Sequence, residues 1–456
     1  MARNTQVAAD LNAPPVTSIL AKFVSSHPQR GWSHAVEHEA HRTFLNWVGC
    51  AVGASRHESA EAALGAVRML EPAPQSSILG RADKVDMASA ALVNGITSHT
   101  FDFDDTHLKT VIHPAGPVAS ALLALAETTQ ASGRELMDAL VLGVDVECRI
   151  GNCMYPEHYD RGWHITGSTG TLGAAAACAR LLGLDEERTA WAIGIAASQP
   201  IGMREQFGTM TKPFHPGGAA RAGLTSALLA KNGFTASARA LEAPRGYCQV
   251  VSTKNDWNEI TDELGKRFEI SFNTYKPFAC GIVIHPLIDA AAQLRGQGVK
   301  AGDVDRVEVR VHPLVVELTG KKEPQTGLEG KFSVFHGAAV AILDGAGGEA
   351  QFSDQRVSAP DALALRQKVR AAVDPTLGKE QARVSILLKD GTRHDLRVEH
   401  CAGSLARPLT DAELDAKFLA LSAPALGSAA ASALAALRTL PQKRNVADVA
   451  RLCAKA

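Results

Sequence analysis

Apolar residues recur at three- and four-residue spacing through most of the first 270 residues, which predicts a mostly helical fold. These stretches are rich in Ala and Leu, which are strong helix formers. The predicted helices are Ala35–Ala54, Met87–Thr100, Pro117–Thr128, Glu135–Met154 and Glu186–Ser198. Two stretches, Ala119–Ala126 and Thr171–Leu182, are apolar around most of their circumference. We therefore expect them in the middle of a large helical bundle.

The pattern changes after about residue 270. Asp305–His312, Ala382–Lys389 and Thr392–Glu399 alternate apolar and polar residues, which is typical of half-buried strands. Lys389-Asp390-Gly391 between the last two is a strong hairpin signal. Helical spacing returns in the segments Pro286–Leu294, Phe332–Leu343, Ala359–Ala372 and Asp411–Ala456.

This order of elements predicts a mostly α protein with two domains, since 456 residues exceed one hydrophobic core. Residues 1–270 are expected to form a large all-helical domain that residues 405–456 complete. Residues 271–404 are expected to form an inserted, smaller α+β domain.

Composition narrows the class of partner. The chain has 47 basic and 48 acidic residues, a balance that gives no long-range attraction for nucleic acid or an anionic membrane. No apolar run reaches the length of a membrane helix, and Met1 to Ala13 lacks the apolar core of a signal peptide. The eight scattered cysteines form no C-x-x-C pair and are expected to be buried reduced thiols. We therefore expect a cytoplasmic enzyme or binding protein.

The first candidate for chemistry is the segment from His99 to His113, with the sequence H-T-F-D-F-D-D-T-H and then H-P. So much charge between two apolar helices is rare unless the charges are paired or used. Pro114 suits the first turn of a helix, so His113 would lie near a helix N-terminus, where the dipole favours an anion and a neutral imidazole. The alternative is a solvated acidic turn whose Asp and Thr residues cap the helices.

The second candidate is G-W-H-I-T-G-S-T-G, residues 162–170, at the start of a helix of small residues. Gly and hydroxyl residues there allow close approach of a ligand to the backbone. Tight helix packing would explain the glycines equally well, but it leaves His164 without an explanation.

The third and fourth candidates also precede predicted helices. In G-T-M-T-K-P-F-H-P-G-G, Lys212 has no acidic residue within five positions, so it is either exposed or binds an anion. In Y-K-P-F-A-C, which leads to His285-Pro286, the His–Pro pair repeats the arrangement of His113. Cys280 in that segment is expected to be inert, because nothing nearby in sequence would lower its pKa.

Several other chemistries lack their motifs. The chain has no G-x-S-x-G elbow, P-loop, Gly-rich dinucleotide fingerprint or H-E-x-x-H zinc motif. Neither a hydrolase triad nor a bound metal is therefore expected, although a metal site assembled from distant segments stays open.

Taken together, these motifs resemble the MmgE/PrpD family, which contains 2-methylcitrate dehydratase, cis-aconitate decarboxylase and iminodisuccinate epimerase. The segment G-K-F-S-V-F-H-G-A-A-V-A-I-L-D-G, residues 330–345, is also similar to that family. The resemblance implies a large helical domain with a smaller lid-like domain, a homodimer, and no metal or organic cofactor. It implies a substrate that is a small polycarboxylate. It also implies a site built from Asp102, Thr106, His113, His164, Lys212 and His285.

In the resulting hypothesis, Asp102, His113, His164 and Lys212 are catalytic, while Thr106, Lys212 and His285 bind substrate. Lys212 would stabilise charge developing on a carboxylate, and a histidine would transfer the proton at the neighbouring carbon. The first hypothesis for the reaction is dehydration or decarboxylation of a di- or tricarboxylate. An epimerase of an α-substituted dicarboxylate such as iminodisuccinate is the alternative, and a non-catalytic carboxylate-binding protein is the second alternative.

One branch of the family fits less well. The dehydratases carry an Asn in the first motif and a longer spacer before H-P-S-D-N, whereas this chain has Asp104, a short spacer, and Ala115-Gly116 after Pro114. The first motif therefore resembles the decarboxylase and epimerase branches more than the dehydratases.

Overall fold

A computed structural model of the chain describes residues 13–28 and 31–454. The polar segment Met1 to Ala13 lies, apart from Ala13, outside the described residues. The helices of the first 270 residues are α1 (Val16–Ser26), α2 (His34–Gly53), α3 (Glu58–Arg68), α4 (Met87–Thr100), α5 (Ala115–Thr129), α6 (Gly133–Met154), α7 (Glu157–Asp160), α8 (Ile165–Leu181), α9 (Glu186–Ala196), α10 (Thr211–Lys231), α11 (Tyr247–Val251) and α12 (Asn258–Thr261).

The predicted helices of this part are confirmed. Several of them begin with a side-chain cap at the point where the apolar spacing begins. The Asp86 carboxylate accepts from the N–H groups of Ala88 and Ser89 at the start of α4. Ser132 and Glu135 form a reciprocal capping box at the start of α6. Such caps satisfy backbone donors that have no partner inside the helix.

Helix α8 lies in the middle of the bundle and packs against α5, α6 and α10. Every residue from Ile165 to Ala179 is buried. Its glycines belong to the helix itself and not to a preceding loop, so tight packing accounts for them. A Cβ at Gly170 would overlap Pro117, and one at Gly173 would overlap Glu147. The expectation that a ligand approaches the backbone is therefore wrong for Gly167 and Gly170, while Gly162 precedes the helix and has no atom within 4 Å of an added Cβ.

Helices α4 and α10 touch backbone to backbone. A Cβ on Gly95 would overlap the Cα of Gly217, and a Cβ on Gly217 would overlap the carbonyl of Leu92. Only glycine at both positions permits this approach. The crossing holds the C-terminal end of α4 beside the first turns of α10.

The remaining helices are α13 (His285–Gly296), α14 (Pro313–Thr319), α15 (Gly327–Gly330), α16 (Val334–Asp344), α17 (Asp354–Val357), α18 (Pro360–Arg366), α19 (Asp411–Leu426), α20 (Ala429–Arg438) and α21 (Val446–Cys453). The strands are β1 (Ser76–Ser77), β2 (Lys84–Val85), β3 (Asp105–His107), β4 (Asn273–Tyr275), β5 (Val304–Val311), β6 (Val369–Val373), β7 (Ala382–Leu388) and β8 (Arg393–Val398).

The larger sheet has the strand order β6-β5-β7-β8. β5 pairs with β6 in parallel and with β7 antiparallel, and β7 and β8 form the predicted hairpin. Gly391 in its turn has a left-handed backbone, with φ of 87°. Helix α13 packs on β7 and β8 and buries the apolar face of the sheet.

The predicted helix Ala359–Ala372 is wrong in its second half. Helix α18 ends at Arg366, and Val369–Val373 forms the edge strand β6. Alanine and arginine favour a helix locally, but the V-R-A-A-V segment instead pairs with β5. This is a long-range contact, and it outweighs a local propensity of a few tenths of a kcal/mol per residue.

The C-terminal helices return to the first part of the chain. α19 packs against α2, and α21 packs against α5. Phe418, Leu437 and Leu440 share a buried core with Trp47 and Leu140. The fold is mostly α with small sheets, while the domain limits at 270 and 405 and the inserted lid stay predictions.

Two further sequence expectations concern side chains and membranes. The eight cysteines are free and buried. Among the described residues, none of the helices combines the length and the apolar character that a membrane crossing requires.

Candidate active site

The motifs singled out in the sequence meet at one small buried cavity with a free volume of about 40 Å³. The cavity lies between the ends of α4, α8 and α10 on one side and the segment before α13 on the other. Charged and imidazole groups share its wall with apolar ones. The lining residues include Asp102, Val111, His113, Tyr159, His164, Phe207, Lys212, Lys276, Ile282, Val283 and Phe332.

Asp102 stands at the centre of the charged groups. Its Oδ1 accepts from Lys212 Nζ at 3.0 Å and from Lys276 Nζ at 2.7 Å, and all three side chains are buried. Burial alone would raise the pKa of Asp102, but the two ammonium groups outweigh it and hold the pKa well below its usual range. Asp102 itself has a left-handed backbone, with φ of 50°, directly after α4. One carboxylate thus orients two lysines, and the three groups together carry one net positive charge.

Lys276 is held more firmly than Lys212. Lys276 Nζ also donates to the carbonyl of Asp102 at 3.0 Å, and the attraction of Asp102 raises its pKa above the ordinary value despite burial. For Lys212, burial is the largest influence and lowers the pKa. Lys212 is therefore the cation with the greater gain from a second anion.

The tautomer of His99 follows from its two partners. Lys212 Nζ lies 2.8 Å from His99 Nε2 and, as an ammonium, has no lone pair, so the imidazole nitrogen accepts. His99 then carries its proton on Nδ1 and donates to Asp104 Oδ2 at 2.6 Å. Burial lowers the pKa of His99 to about 3, so the ring is neutral.

The two ring nitrogens of His113 differ in their hydrogen bonding. Its Nδ1 lies 2.8 Å from the carbonyl of Asp105, which can only accept, so the proton is on Nδ1. Nε2 is left as an unprotonated nitrogen with no hydrogen-bond partner among the described residues, on a side chain that lines the cavity. Burial lowers the pKa of His113 below its ordinary value, partly opposed by Asp104. His113 precedes α5 as predicted, and burial is the largest cause of its lowered pKa.

His164 is the N-cap residue of α8 and pairs with a second histidine. Its Nδ1 lies 2.8 Å from Nδ1 of His215, so one of the two nitrogens donates and the other accepts. Burial lowers the pKa of His164 well below the usual range and that of His215 to about 4. Both rings are neutral near pH 7, and a single shared proton sets the tautomer of each.

The short strands explain how Lys276 reaches the site. β3 and β4 pair antiparallel, with Asp105 opposite Tyr275. Lys276 follows β4 directly and therefore lies beside the residues just before β3. Half-buried Lys417 of α19 supports this arrangement by donating to the carbonyls of Phe103 at 2.6 Å and Lys276 at 2.9 Å.

Asp102, His113, His164 and Lys212, the four residues predicted to be catalytic, thus lie at one cavity. Lys212 lies in the first turn of α10 as predicted, but it is neither exposed nor unpaired. Its partner Asp102 is 110 positions away, beyond any local search of the sequence.

Thr106 and His285 do not line the cavity. Thr106 Oγ1 lies 3.3 Å from His113 Nδ1, so it contacts a cavity residue and not the cavity itself. His285 begins α13, and its Nε2 donates to the carbonyl of Cys280 at 3.3 Å. Their roles in binding substrate stay predictions.

Sequence reasoning did not assign roles to four residues that the structure brings to the site. All four lie within the quoted motifs. Their contacts at the site are those of His99 with Lys212, Asp104 with His113, His215 with His164, and Lys276 with Asp102. The unusual number of carboxylate and imidazole side chains in the first motif could have indicated roles for His99 and Asp104. No comparable signal marks His215 or Lys276.

A metal has some suitable ligands in this region. Ligand atoms of His99, His113 and His164 lie within 4.8 Å of one another, and so do those of His99, Asp102, Asp104 and His113. Both nitrogens of His99 are already bound, however, one to Asp104 and the other to the ammonium of Lys212. A cation ligated by His99 would have to displace that ammonium, so the donor set fits a metal poorly.

Comparisons with known proteins identify relatives of the chain. The chain is 29% identical to cis-aconitate decarboxylase of Mus musculus over 367 residues, 76% of this chain and 74% of the relative. It is 26% identical to cis-aconitate decarboxylase of Aspergillus terreus over 430 residues, 88% of each chain. It is 23% identical to 2-methylcitrate dehydratase of Escherichia coli O157:H7 over 401 residues, 81% of this chain and 82% of the relative. These relatives are carboxy-lyases and hydro-lyases, which confirms the prediction of an enzyme of the lyase class.

Two family models match the chain in order. The MmgE/PrpD N-terminal domain matches residues 18–260, and the MmgE/PrpD C-terminal domain matches residues 278–440. The first model alone covers more than half of the chain. The protein therefore belongs to the MmgE/PrpD family.

Proposed function

We propose that this protein is a cofactor-independent lyase that decarboxylates or dehydrates a small tricarboxylate of the citrate or aconitate type by proton transfer beside a carboxylate. The observation that carries the proposal is the pairing of a buried ammonium, Lys212, with the unprotonated Nε2 of His113 on the wall of one cavity. A cation that stabilises a carboxylate and a neutral base are the two groups that proton transfer at the neighbouring carbon requires.

Substrate binding would rest on the net positive charge of the two lysines and Asp102. Lys212 and Lys276 would both contact a substrate carboxylate, and Asp102 would keep the two ammonium groups in place. Lys212 would gain most from this contact, because burial lowers its pKa in the free protein. In a buried site these charges act with little screening by water.

In a dehydration, His113 Nε2 would take the proton from the carbon next to the bound carboxylate. The electron pair would develop as an enediolate beside Lys212 and then expel the β-hydroxyl, which leaves as water with a proton from a histidine N–H. His164 would supply that proton if its Nδ1 accepts from His215, because its own proton then lies on Nε2.

In a decarboxylation, the bond from carbon to CO₂ breaks and its electron pair passes to the conjugated carboxylate beside Lys212. A histidine N–H would then deliver a proton to carbon. The higher identity to the decarboxylases, 29% and 26% against 23% for the dehydratase, favours this reaction. Asp104 and the short spacer in the first motif point the same way.

The test is NMR in D₂O with a panel of citrate, 2-methylcitrate, cis-aconitate, citramalate, malate and iminodisuccinate. We expect a new product from at least one tricarboxylate, with solvent deuterium at the protonated carbon in a decarboxylation. Deuterium in unchanged substrate without net product would indicate the epimerase alternative. Thermal stabilisation by a polyacid with neither turnover nor exchange would indicate a binding protein. Either result would refute the lyase proposal.

Variants assign the result to the site. Lys212→Met and His113→Gln should each lower turnover by about 10²–10⁴-fold, the usual contribution of a positioned acid, base or charge. Lys231→Met, at the exposed end of the same helix, and the exposed His34→Gln are the matched controls. Wild-type turnover by Lys212→Met or His113→Gln would remove that residue from the proposal.

A further inference from the structure

Asp104 is a buried carboxylate with no part in the chemistry proposed above. It lies directly before β3, and its side chain is fully buried. Its Oδ2 accepts from His99 Nδ1 at 2.6 Å, while its Oδ1 has no hydrogen-bond donor among the described residues. That second oxygen lies 3.4 Å from Nδ1 of His113. A buried carboxylate oxygen without a donor is costly, so its place beside His113 calls for a functional reason.

Asp104 is ionised near pH 7. Burial by itself would raise its pKa, but the attraction of the His99 and His113 rings outweighs burial and holds the pKa well below its usual range. When His113 takes a proton on Nε2, its ring becomes an imidazolium beside the free oxygen of this carboxylate. Little water screens the two charges in a buried site, so the attraction is strongest in that state.

The other carboxylates of the segment are occupied. Asp102 Oδ1 already accepts from two ammonium groups. Burial and the charge of Asp104 raise the pKa of Asp105 to about 7, and Asp105 Oδ2 accepts from Asn273 at 2.6 Å. Asp104 is therefore the carboxylate that can balance a charge on His113.

The same carboxylate acts on the cation of the site through His99. Because His99 donates from Nδ1 to Asp104, its Nε2 is free to accept from Lys212 Nζ at 2.8 Å. Burial is the largest influence on the pKa of Lys212 and lowers it, while the charges of Asp102 and Asp104 oppose that effect. One side chain thus contacts the base directly and the cation through a single ring.

We propose that Asp104 is a positioning residue for both halves of the proton transfer. It stabilises His113 whenever that ring carries a proton on both nitrogens, and it holds His99 against Lys212. This inference rests on the lyase function proposed above. The transferred proton moves between the substrate carbon and His113 Nε2, while the Nδ1 proton stays on the ring and Asp104 takes up no proton.

Other titratable groups that face Asp104 or His113 do not supply this charge. They are Asp102 and Asp105 on the same segment, His164 at α8, Lys276 after β4, Lys417 on α19 and Cys50 on α2. Burial leaves the Cys50 thiol and the His164 imidazole neutral, because it raises the pKa of the first and lowers that of the second. Lys276 and Lys212 lower the pKa of His113, and Asp104 opposes them.

The experiment measures kcat, KM and their pH profiles for Asp104→Asn on a substrate that the wild-type protein turns over. The amide oxygen can still accept from His99, but the charge is gone. We expect kcat to fall about 10²–10³-fold and KM to change less than about threefold. Both limbs of the kcat/KM profile should move to lower pH, because the protonated forms of His113 and Lys212 lose a stabilising charge. The acid limb should move by at least about one pH unit, since an opposite charge within about 4–6 Å shifts a pKa by about 1–3 units.

A second variant separates the hydrogen bond from the charge. Asp104→Leu removes both, so it should also raise KM about tenfold, because His99 loses the acceptor that fixes its tautomer toward Lys212. Asp289→Asn is the matched control, since Asp289 is a buried carboxylate outside the cavity that accepts from the N–H of Ala402 at 2.9 Å. This control should keep the wild-type kcat and pH profile.

A measurement on the wild-type protein needs no variant to fold. NMR of the imidazole nitrogens should show His99 as the Nδ1–H tautomer, and the Nε2–H tautomer would overturn the proposal. Circular dichroism and a thermal melt verify that each variant is folded. An unmoved pH profile for folded Asp104→Asn, with or without a loss in kcat, would overturn the role of Asp104 and leave the lyase proposal standing. No turnover of any polyacid by the wild type would overturn the lyase proposal and this role with it.

Discussion

Substitution of Gly217 by Ala tests how the fold builds the site. A Cβ at this position would overlap the carbonyl of Leu92 and lie 3.0 Å from the backbone nitrogen of Ile96. Backbone atoms cannot rotate away as a side chain can, so α10 and α4 have to separate by about 1 Å. Lys212 lies five residues before Gly217 on α10, and His99 lies four residues after Gly95 on α4. The separation therefore acts directly on the contacts of Lys212 with His99 and Asp102.

The expected magnitudes follow from this geometry. Overpacking costs about 1–3 kcal/mol, and rigid backbone contacts put this case near the upper end. Ala has a higher helix propensity than Gly, which raises the free energy of unfolding by about 1 kcal/mol and offsets part of this cost. The net loss in the free energy of unfolding should then be about 2 kcal/mol. A 1 Å misplacement of catalytic groups can cost about 100-fold in rate, so kcat should fall by that order.

Urea unfolding and steady-state kinetics on a verified substrate measure the two effects separately. Gly65→Ala in α3 is the matched control, because no atom lies within 4 Å of its added Cβ. This control should gain roughly 0.5–1 kcal/mol and keep the wild-type rate. A Gly217→Ala protein with wild-type stability and kcat would refute the argument that this crossing positions Lys212.

Three further predictions address side chains that contact the site. His215→Phe should lower kcat about 100-fold, because it removes the hydrogen bond that sets the tautomer of His164. His215→Asn has an amide that can replace this bond, so it should restore part of the rate and of the wild-type pH profile. Equal rates for the two variants would contradict this role. Lys276→Met should cost about 1–3 kcal/mol in urea unfolding, because the buried carbonyl and Oδ1 of Asp102 lose a donor while Lys212 still neutralises the carboxylate. Exposed Lys231→Met should be neutral, and a cost for Lys276→Met below about 0.5 kcal/mol would show that Lys276 is dispensable for folding. Burial and the neighbouring carboxylate of Asp104 raise the pKa of Asp105 to about 7. The native state therefore keeps a proton that the unfolded chain releases, and stability falls as pH rises from about 4 to 7. Asp105→Asn should lose this slope and gain up to about 4 kcal/mol above pH 7, and an unchanged slope would contradict the assignment.

Local sequence patterns were sufficient for much of the fold. Predicted Met87–Thr100 is α4 itself, and the predicted strands Ala382–Lys389 and Thr392–Glu399 differ from β7 and β8 by one residue at most at either end. Caps, apolar spacing and the Asp-Gly turn act over a few residues, so they can be read along the chain. Where a distant partner competes, as at β6, the local reading fails.

The sequence by itself also identified the segments that meet at the candidate site. The dense charge of the first motif, His164 at a helix start and Lys212 with no acidic neighbour in sequence could all be recognised, because each conflicts with its own apolar surroundings. The family resemblance rests on the same segments and is confirmed.

Only the tertiary structure decided how these groups interact with one another. The Gly95–Gly217 crossing sets Lys212 against His99, and the β3–β4 pairing brings in Lys276. The proton positions on the histidines depend on which donor or acceptor lies within about 3 Å. Burial then lowers the pKa of each of these histidines below its ordinary value. The contacts of Lys212 with His99 and Asp102, and of Lys276 with Asp102, join residues more than a hundred positions apart, and no spacing along the chain encodes them.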